Sequence, residues 1–303
     1  MACDPGQRRA LVTGATGYIG SHLVKFLVDS GWQTSIVIRP GSDLGCLDEL
    51  QNRIEILVHD GTVAGMVKLV ASSRPDTVFH LASLFLAQHR SEDIDTLVTS
   101  NVLFATQLVE AMATAGCGRL INVGTSWQHY ANDGYNPVNL YAATKQAFDD
   151  ILRYYVEATP IKAVTLTLFD SYGPNDPRRK LLSLLRDAAM HGTRLQMSPG
   201  DQLIDLVYID DMIAAFLCAA SLLPVPDRAH MRYRVSSGEP VNLRQLVATI
   251  ERVTGKTLAI DWGGRPYRPR EVMLPFCPHP PLPGWAPSIS LDQGIARVMF
   301  GAS

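Results

Sequence analysis

Residues 13 to 20 read TGATGYIG, and no other stretch constrains the fold as tightly. A short apolar run, Ala10 to Thr13, precedes it. Ile19, Leu23, Phe26 and Leu27 follow at i, i+4, i+7 and i+8, a spacing that places them on one helical face able to pack on a sheet. A glycine triplet between a strand and a helix has a mechanical meaning. Without Cβ atoms at Gly14, Gly17 and Gly20 the turn is tight, its backbone can approach a pyrophosphate, and the helix can lie close to the strand. The free N–H groups and positive dipole end of that helix then face the phosphates. The spacing predicts a dinucleotide-binding βα unit.

The same rhythm continues to Phe169. Strands are predicted at Ala10 to Thr13, Thr34 to Arg39, Ile54 to His59, Thr77 to Ala82, Leu120 to Gly124 and Val164 to Phe169, mostly continuous apolar runs as expected of strands covered on both faces. The fold class is α/β, a Rossmann-type doubly wound parallel sheet over residues 1–172. After Tyr172 the pattern breaks at Gly173, Pro174 and Pro177. Residues 173–303 read as a smaller, partly discontinuous C-terminal substrate lobe, with segments around 203–236 returning to the first domain. Helices are expected near Asp211 to Leu222 and Asn242 to Val253. Eight of the 19 prolines lie between Pro266 and Pro287, which forbids regular helix or central strand there and predicts an extended wrapping tail. A final helix starts at Ser290, which forms a capping-box pattern with Gln293.

Composition narrows the function. With 303 residues, 47% of them hydrophobic, the chain can bury a sizeable core, and a net charge of −2 supplies no footprint for nucleic acid or an acidic membrane. The five cysteines are scattered without a CxxC or a Cys/His cluster at ligand spacing, so neither a disulfide framework nor a metal site is expected. The first ten residues carry no apolar signal core, and the longest apolar stretches are too short to span a bilayer. A soluble, cytoplasmic protein is expected.

At the end of the second strand a cofactor with a free ribose 2′-hydroxyl would want a carboxylate. This chain has Arg39, with Ser42 close behind, which suits a 2′-phosphate and favours NADPH over NADH. Further on, NLYAATKQAF places Tyr141 and Lys145 one helical turn apart on the same face, in a helix leading to the sixth strand. An ammonium beside a phenol favours the phenolate, making Tyr141 a general acid or base near neutrality. Ser126 in GTSWQHY lies just after the fifth strand, where its hydroxyl can bond a substrate carbonyl, with Thr125 as its possible understudy.

TGATGYIG, Asp60 in VHDG, FHLAS at 79–83, Asn101, Ser126 and YAATK together resemble the extended short-chain dehydrogenase/reductase family over nearly the whole chain. FDSYGP, LIDLVYIDD, SSGEPVNLRQLV and WGGRPYRPREVM resemble its members acting on nucleotide-linked sugars, most of all the 4-keto-6-deoxyhexose reductases of the CDP-abequose synthase type. The resemblance implies that Gly14, Thr16, Gly17, Tyr18, Ile19 and Gly20 hold the pyrophosphate, Asp60 and Gly61 the adenine, and Leu81, Ala82 and Ser83 the middle of the cofactor. Asn101 and Phe169 would adjoin the cofactor, and Tyr141 and Lys145 would contact its nicotinamide end as well as act in catalysis. Trp127, Gln128, Asp170, Ser171, Arg178, Lys180 and Arg268 would meet the substrate. It also implies a homodimer, through the helices carrying Asn101 and Tyr141. Three departures stand out: Ile204 replaces the arginine common before the position of Asp205, only 15 residues separate Ser126 from Tyr141, and Asp170 replaces a common Asn. With Ile204 in place, phosphate charge falls to Arg178, Lys180, Arg265 or Arg268.

One scaffold supports several reactions, so the site must discriminate. Relatives that dehydrate sugars carry Asp and Glu after the position of Ser126, where this chain has Trp127 and Gln128. Epimerases usually place an acid where Arg39 stands. The resulting expectation is NADPH-dependent reduction of the 4-keto group of a nucleotide-diphosphate-linked 4-keto-6-deoxysugar. The alternatives are an NAD-dependent nucleotide-sugar 4-epimerase, a reductase of a non-nucleotide carbonyl compound, and a non-catalytic NAD(P)H sensor.

Overall fold

The computed structural model describes residues 8–223 and 229–301. Its first half runs β1 (Arg9–Thr13), α1 (Tyr18–Asp29), β2 (Gln33–Ile38), β3 (Ile54–Val58), α2 (Val63–Ser73), β4 (Thr77–His80), α3 (Ile94–Val98), α4 (Phe104–Ala115), β5 (Arg119–Thr125), α5 (Leu140–Ala158) and β6 (Lys162–Leu168). The second half continues with β7 (Asp170–Tyr172), α6 (Leu181–His191), β8 (Leu195–Met197), β9 (Leu203–Ile204), β10 (Leu206–Tyr208), α7 (Ile209–Ser221), β11 (His230–Val235), β12 (Val241–Asn242), α8 (Leu243–Thr254), β13 (Ile260–Trp262) and α9 (Leu291–Phe300).

Seven strands form one parallel sheet in the order β3-β2-β1-β4-β5-β6-β11. Its order reverses between β1 and β4, the switch point at which open α/β sheets take their ligands. Successive strand residues face opposite sides, and the core divides accordingly. Val12, Ile36, Phe79, Ile121 and Val164 pack with α1 and α7. Leu11, Val37, Val78, Leu120 and Ala163 pack with α2, α4 and α5. The strands read from sequence are present within a residue or two at most ends. One detail of α1 differs: Leu23 and Leu27 are fully buried but Phe26 is 44% exposed. At about 100° per residue, the residues buried after the first turn, Gly20, Leu23, Val24, Leu27 and Val28, centre on a face that leaves Phe26 outside it.

Beyond β6 the chain makes two-stranded pairs, β7 with β10, β9 with β12 and β8 with β13, flanked by α6, α8 and α9. Between them α7 and β11 go back to the large sheet. Residues 263–290 hold no helix or strand, only a bridge from Pro281 to Arg234. The tail is fastened by single bonds: Arg234 N–H donates to Pro280 O and its Nη1 to His279 O, while buried Asp211 accepts from the Ser288 and Ile289 N–H groups. At α9, Ser290 Oγ accepts from Gln293 N–H and Gln293 Oε1 from Ser290 N–H, the reciprocal cap its sequence specifies.

Candidate active site

The glycine turn explains itself sterically. A Cβ on Gly20 would lie 2.0 Å from Gly14 O, and one on Gly14, whose φ is +71°, would lie 2.6 Å from Ala82 N. The turn is thus pressed against the exit of β4. Gly17 occupies the cap position of α1 without any side-chain bond to the helix, so the first N–H groups remain available for an anionic group. The residues present fit a dinucleotide pyrophosphate on this observation.

Around the switch point, side chains on separate elements are cross-linked. Asn101 sits in a π-turn, residues 99–103, inside the long α3–α4 helix. Its Nδ2 donates to Leu84 O and Thr144 Oγ1, and its Oδ1 accepts from Leu84 N and Ser83 Oγ. The amide thereby ties the loop after β4 to α5, one residue before Lys145. His80, on β4, shares a 2.8 Å bond between Nδ1 and Thr13 Oγ1, and that hydroxyl accepts from Ala82 N. Burial and the nearby Lys145 ammonium push His80 down to about 3, so it is neutral. Lys145 is itself 4% exposed; burial lowers it to about 8, partly opposed by Asp149 a turn further along α5.

Tyr141 is held by Ser83 and Thr125, whose hydroxyls hydrogen-bond its own, with the Phe85 ring edge-on at 5.0 Å. Burial pushes its pKa up to about 12; the hydrogen bonds from Ser83 and Thr125 oppose that rise. The expectation that Lys145 draws this phenol towards neutrality is not met. Desolvation outweighs every stabiliser of the phenolate, so the phenol holds its proton more firmly than a free tyrosine. Thr125, considered above as a substitute for Ser126, is the hydroxyl that touches it.

Phe85 and Ser126 open onto a cleft of about 510 Å³ between the sheet's carboxyl edge and the smaller lobe. Trp127 and Phe169 form apolar wall, and Arg179, Lys180, Arg186, Arg265 and Arg268 bring positive charge to it, Lys180 paired with Asp170 and Arg268 with Glu271. The Trp127 ring lies tilted at 58° against Phe85, with centroids 5.4 Å apart, and carries the Arg268 guanidinium 5.7 Å above it.

A family model for the NAD dependent epimerase/dehydratase family matches residues 10–228. The chain belongs to that family. Among characterised proteins of this family it is 28% identical over 270 residues to a CDP-abequose synthase of Yersinia pseudotuberculosis, covering 88% of this chain and 91% of that one. It is 26% identical to a UDP-glucose 4-epimerase of Mycolicibacterium smegmatis, covering 96% and 97%. The crystal structure of a Thermotoga maritima UDP-glucose 4-epimerase with UDP-glucose superposes with a TM-score of 0.83 at 20% identity, over 97% of this chain and 98% of that one, a likeness of fold. Membership makes the protein an NAD(P)-dependent oxidoreductase-type enzyme of the extended short-chain dehydrogenase/reductase class.

Within this family member several side chains do not stand as the sequence suggested. Gln128 is turned away from the cleft: its Oε1 accepts from Thr125 N–H at 2.9 Å and its Nε2 donates to Gln146. It closes the turn after β5 and faces a second cavity. Arg178 bonds Asp176, Ser171 and the face of Tyr18; its neighbour Arg179, which sequence reasoning passed over, lines the cleft instead. Ser171 is buried and accepts from that Arg178, yet it lines the cleft as expected. Tyr18 is buried with its hydroxyl donating to Pro174 O, so only its backbone faces the phosphate turn. Asn101 makes four hydrogen bonds, to Ser83, Leu84 and Thr144, which use both its N–H donors and both lone pairs of its oxygen.

Other predicted positions keep their exposure. Asp60 is exposed, accepting from Thr62 N–H and Oγ1 beside Gly61. Arg39 is exposed just past β2, where its N–H donates to Ser42 Oγ, and its guanidinium enters no ion pair among the described residues. Thr16 and Ile19 lie half-buried on the glycine turn, and Leu81 and Ala82 half-buried at the exit of β4 with Ser83 exposed. Asp170 accepts from Lys180 Nζ at 3.3 Å on the cleft wall. Asp205, beside the unusual Ile204, is buried and accepts from Ser237 N–H and the Ser236 hydroxyl, clamping the loop after β11.

Folding also gathers residues that spacing kept apart. His129, Cys277 and His279 place their ligand atoms within 4.8 Å of one another. Sequence spacing shows no such cluster because His129 lies far from the others along the chain; the Cys277-Pro278-His279 triplet is the one local signal.

Proposed function

We propose that the protein is an NADPH-dependent reductase of a nucleoside-diphosphate-linked 4-keto-6-deoxysugar. The observation that carries this reading is the geometry: the Tyr141 hydroxyl is fixed by Ser83 and Thr125 beside a cleft that combines aromatic wall with five cationic side chains. A reduction needs a group that gives up a proton to a developing alkoxide, and a phenol with a pKa near 12 holds that proton until such an oxygen arrives. NADPH, when bound on the glycine turn, supplies the reducing equivalent. Gly14, Gly17 and Gly20 would hold its pyrophosphate and Arg39 with Ser42 its 2′-phosphate.

Ser126, on the cleft, orients the carbonyl oxygen. Ser83 and Thr125 exchange their bonds with Tyr141 as that oxygen takes their place. Lys145, charged at neutral pH, stabilises the phenolate left behind. Trp127, Phe85 and Phe169 exclude water from the sugar face. Arg179, Lys180, Arg265 and Arg268 answer the diphosphate, a charge-assisted role that Ile204 cannot fill. Exposed Ile94, Val98 and Leu103 on the outer side of the α3–α4 helix, with Tyr154 on α5, support a homodimer through that surface.

Similarity to UDP-glucose 4-epimerases keeps a second reading, a redox-neutral 4-epimerase, and Arg39 at the end of β2 weighs against it. A panel of nucleotide 4-ketosugars mixed with NADPH separates the two. Stoichiometric loss of the reduced-nicotinamide absorbance with one member is the expected result, and Tyr141→Phe should bind NADPH yet turn over roughly 10²–10⁴-fold more slowly. Interconversion of 4-epimers without net NADPH consumption would replace reduction with epimerisation.

A further inference from the structure

On the opposite side of the turn that carries Ser126 lies a second, polar cavity of about 540 Å³, lined in part by Gln128, His129, Asp149, Thr165, His230 and His279. Nothing in the proposed reaction uses it. His129 closes the Ser126–Gln128 turn through its N–H to Ser126 O and bridges to Asn136. The ring is 5% exposed, and Nδ1 lies 2.7 Å from Gly134 O. A carbonyl only accepts, so Nδ1 carries the hydrogen and Nε2 of the neutral ring presents its lone pair. That Nε2 is buried without a partner. Leaving such an acceptor unmet is costly, and a backbone carbonyl holding the other nitrogen is the arrangement that aims an imidazole at a metal.

The lone pair points where the proline-rich tail delivers two more ligands. Cys277 is buried, and His279 stands with its ring 5.5 Å from that of His129, nearly perpendicular. Outer partners are in place as well: the Thr167 hydroxyl and the His279 backbone N–H both bond the Cys277 sulfur. Both can donate to a thiolate. Strand β11 fixes the tail by the Arg234 bonds to Pro280 and His279 described above.

We propose that His129 Nε2, Cys277 Sγ and a ring nitrogen of His279 form a zinc-type divalent metal site, with its fourth position open to the second cavity. Two imidazoles and one thiolate are a donor set suited to this borderline-soft ion. Tetrahedral zinc sets such ligands about 3.3–3.8 Å apart, so the atoms, now within 4.8 Å of one another, need draw in by about 1 Å. The half-exposed His279 can supply that by rotation. Binding displaces the thiol proton of Cys277 to solvent and clasps two segments 148 positions apart, the turn behind Ser126 and the tail that lines the substrate cleft with Arg268 and Glu271. The site would therefore fix the wall of the cleft from behind.

The full chain, stripped with a chelator, is titrated with zinc chloride against a chromophoric competitor, with stoichiometry read by elemental analysis, and separately loaded with cobalt(II). One zinc per chain, a thiolate-to-cobalt charge-transfer band, and a zinc-dependent rise in Tm are expected. Cys277→Ser should abolish the cobalt band, and His279→Gln, a change at a half-exposed residue, should weaken zinc roughly tenfold or more while its metal-free circular dichroism matches the parent. Absence of zinc binding by the parent, equal binding by a His279→Gln/Cys277→Ser double variant, or cobalt uptake without a thiolate band would each overturn the assignment.

Discussion

Replacing Gly20 by alanine sets two local effects against each other. Alanine in a helix gains about 0.5–1 kcal/mol over glycine. Against it, the new methyl would stand 2.0 Å from Gly14 O, 2.8 Å from Gly14 C and 2.9 Å from Ala15 Cα. All three are backbone atoms, so no side chain can swing aside, and reaching 3.4 Å from the oxygen requires a separation 1.4 Å larger. Overpacking costs about 1–3 kcal/mol, and with three rigid backbone contacts the upper end applies, so destabilisation wins by about 2 kcal/mol. Gly17→Ala is the graded companion: its methyl would lie 3.2 Å from the same oxygen at an ordinary φ of −80°, and a loss under about 1 kcal/mol is expected. Urea unfolding at constant m, about 2–3 kcal/mol per molar, should move the Gly20→Ala midpoint down by about 0.7–1 M. NADPH affinity measured by nicotinamide fluorescence should fall at least tenfold, because the helix N–H groups shift by more than an ångström. A Gly20→Ala protein with the parental midpoint and affinity would refute the claim that helix and strand are held together by the missing side chain.

His80 titrates near 6.5 when unfolded but at about 3 when folded. Its contribution is therefore complete above about pH 6.5 and declines as the pH falls towards 3, with a slope of up to about 1.4 kcal/mol per pH unit. Urea midpoints between pH 7 and 4 should fall more steeply in the parent than in His80→Gln, and parallel profiles would contradict the buried neutral imidazole. Arg39→Asp should weaken NADPH by about 10–100-fold, the worth of a hydrogen bond to a charged phosphate, and improve NADH relative to it; an unchanged ratio of the two Kd values would detach Arg39 from cofactor choice. Asn101→Leu strips the partners from Leu84 N–H and C=O and from Ser83, and about 2–4 kcal/mol of stability should be lost with them. Its kcat should fall further than its NADPH affinity, since the loop it holds carries Ser83 against Tyr141; an equal fall in both would make it a cofactor contact after all.

Local rules made much of this protein readable. The glycine turn, the parallel-strand rhythm, the Ser290–Gln293 cap and the irregular proline tail each depend on residues within a few positions of one another, where steric and hydrogen-bond preferences act directly. Tertiary structure decided matters of direction and partnership. Whether Thr125 or Ser126 meets Tyr141, whether Gln128 faces the cleft or its own backbone, and whether Arg178 or Arg179 stays free for a ligand all turn on neighbours brought from other elements. The Tyr141 pKa is another such outcome, since burial depends on everything packed around the ring. The meeting of His129 with Cys277 and His279 is the extreme case. One-dimensional spacing shows only the Cys277-Pro278-His279 triplet and nothing of His129, because the docking of the tail on β11 places those side chains together only after the sheet has formed.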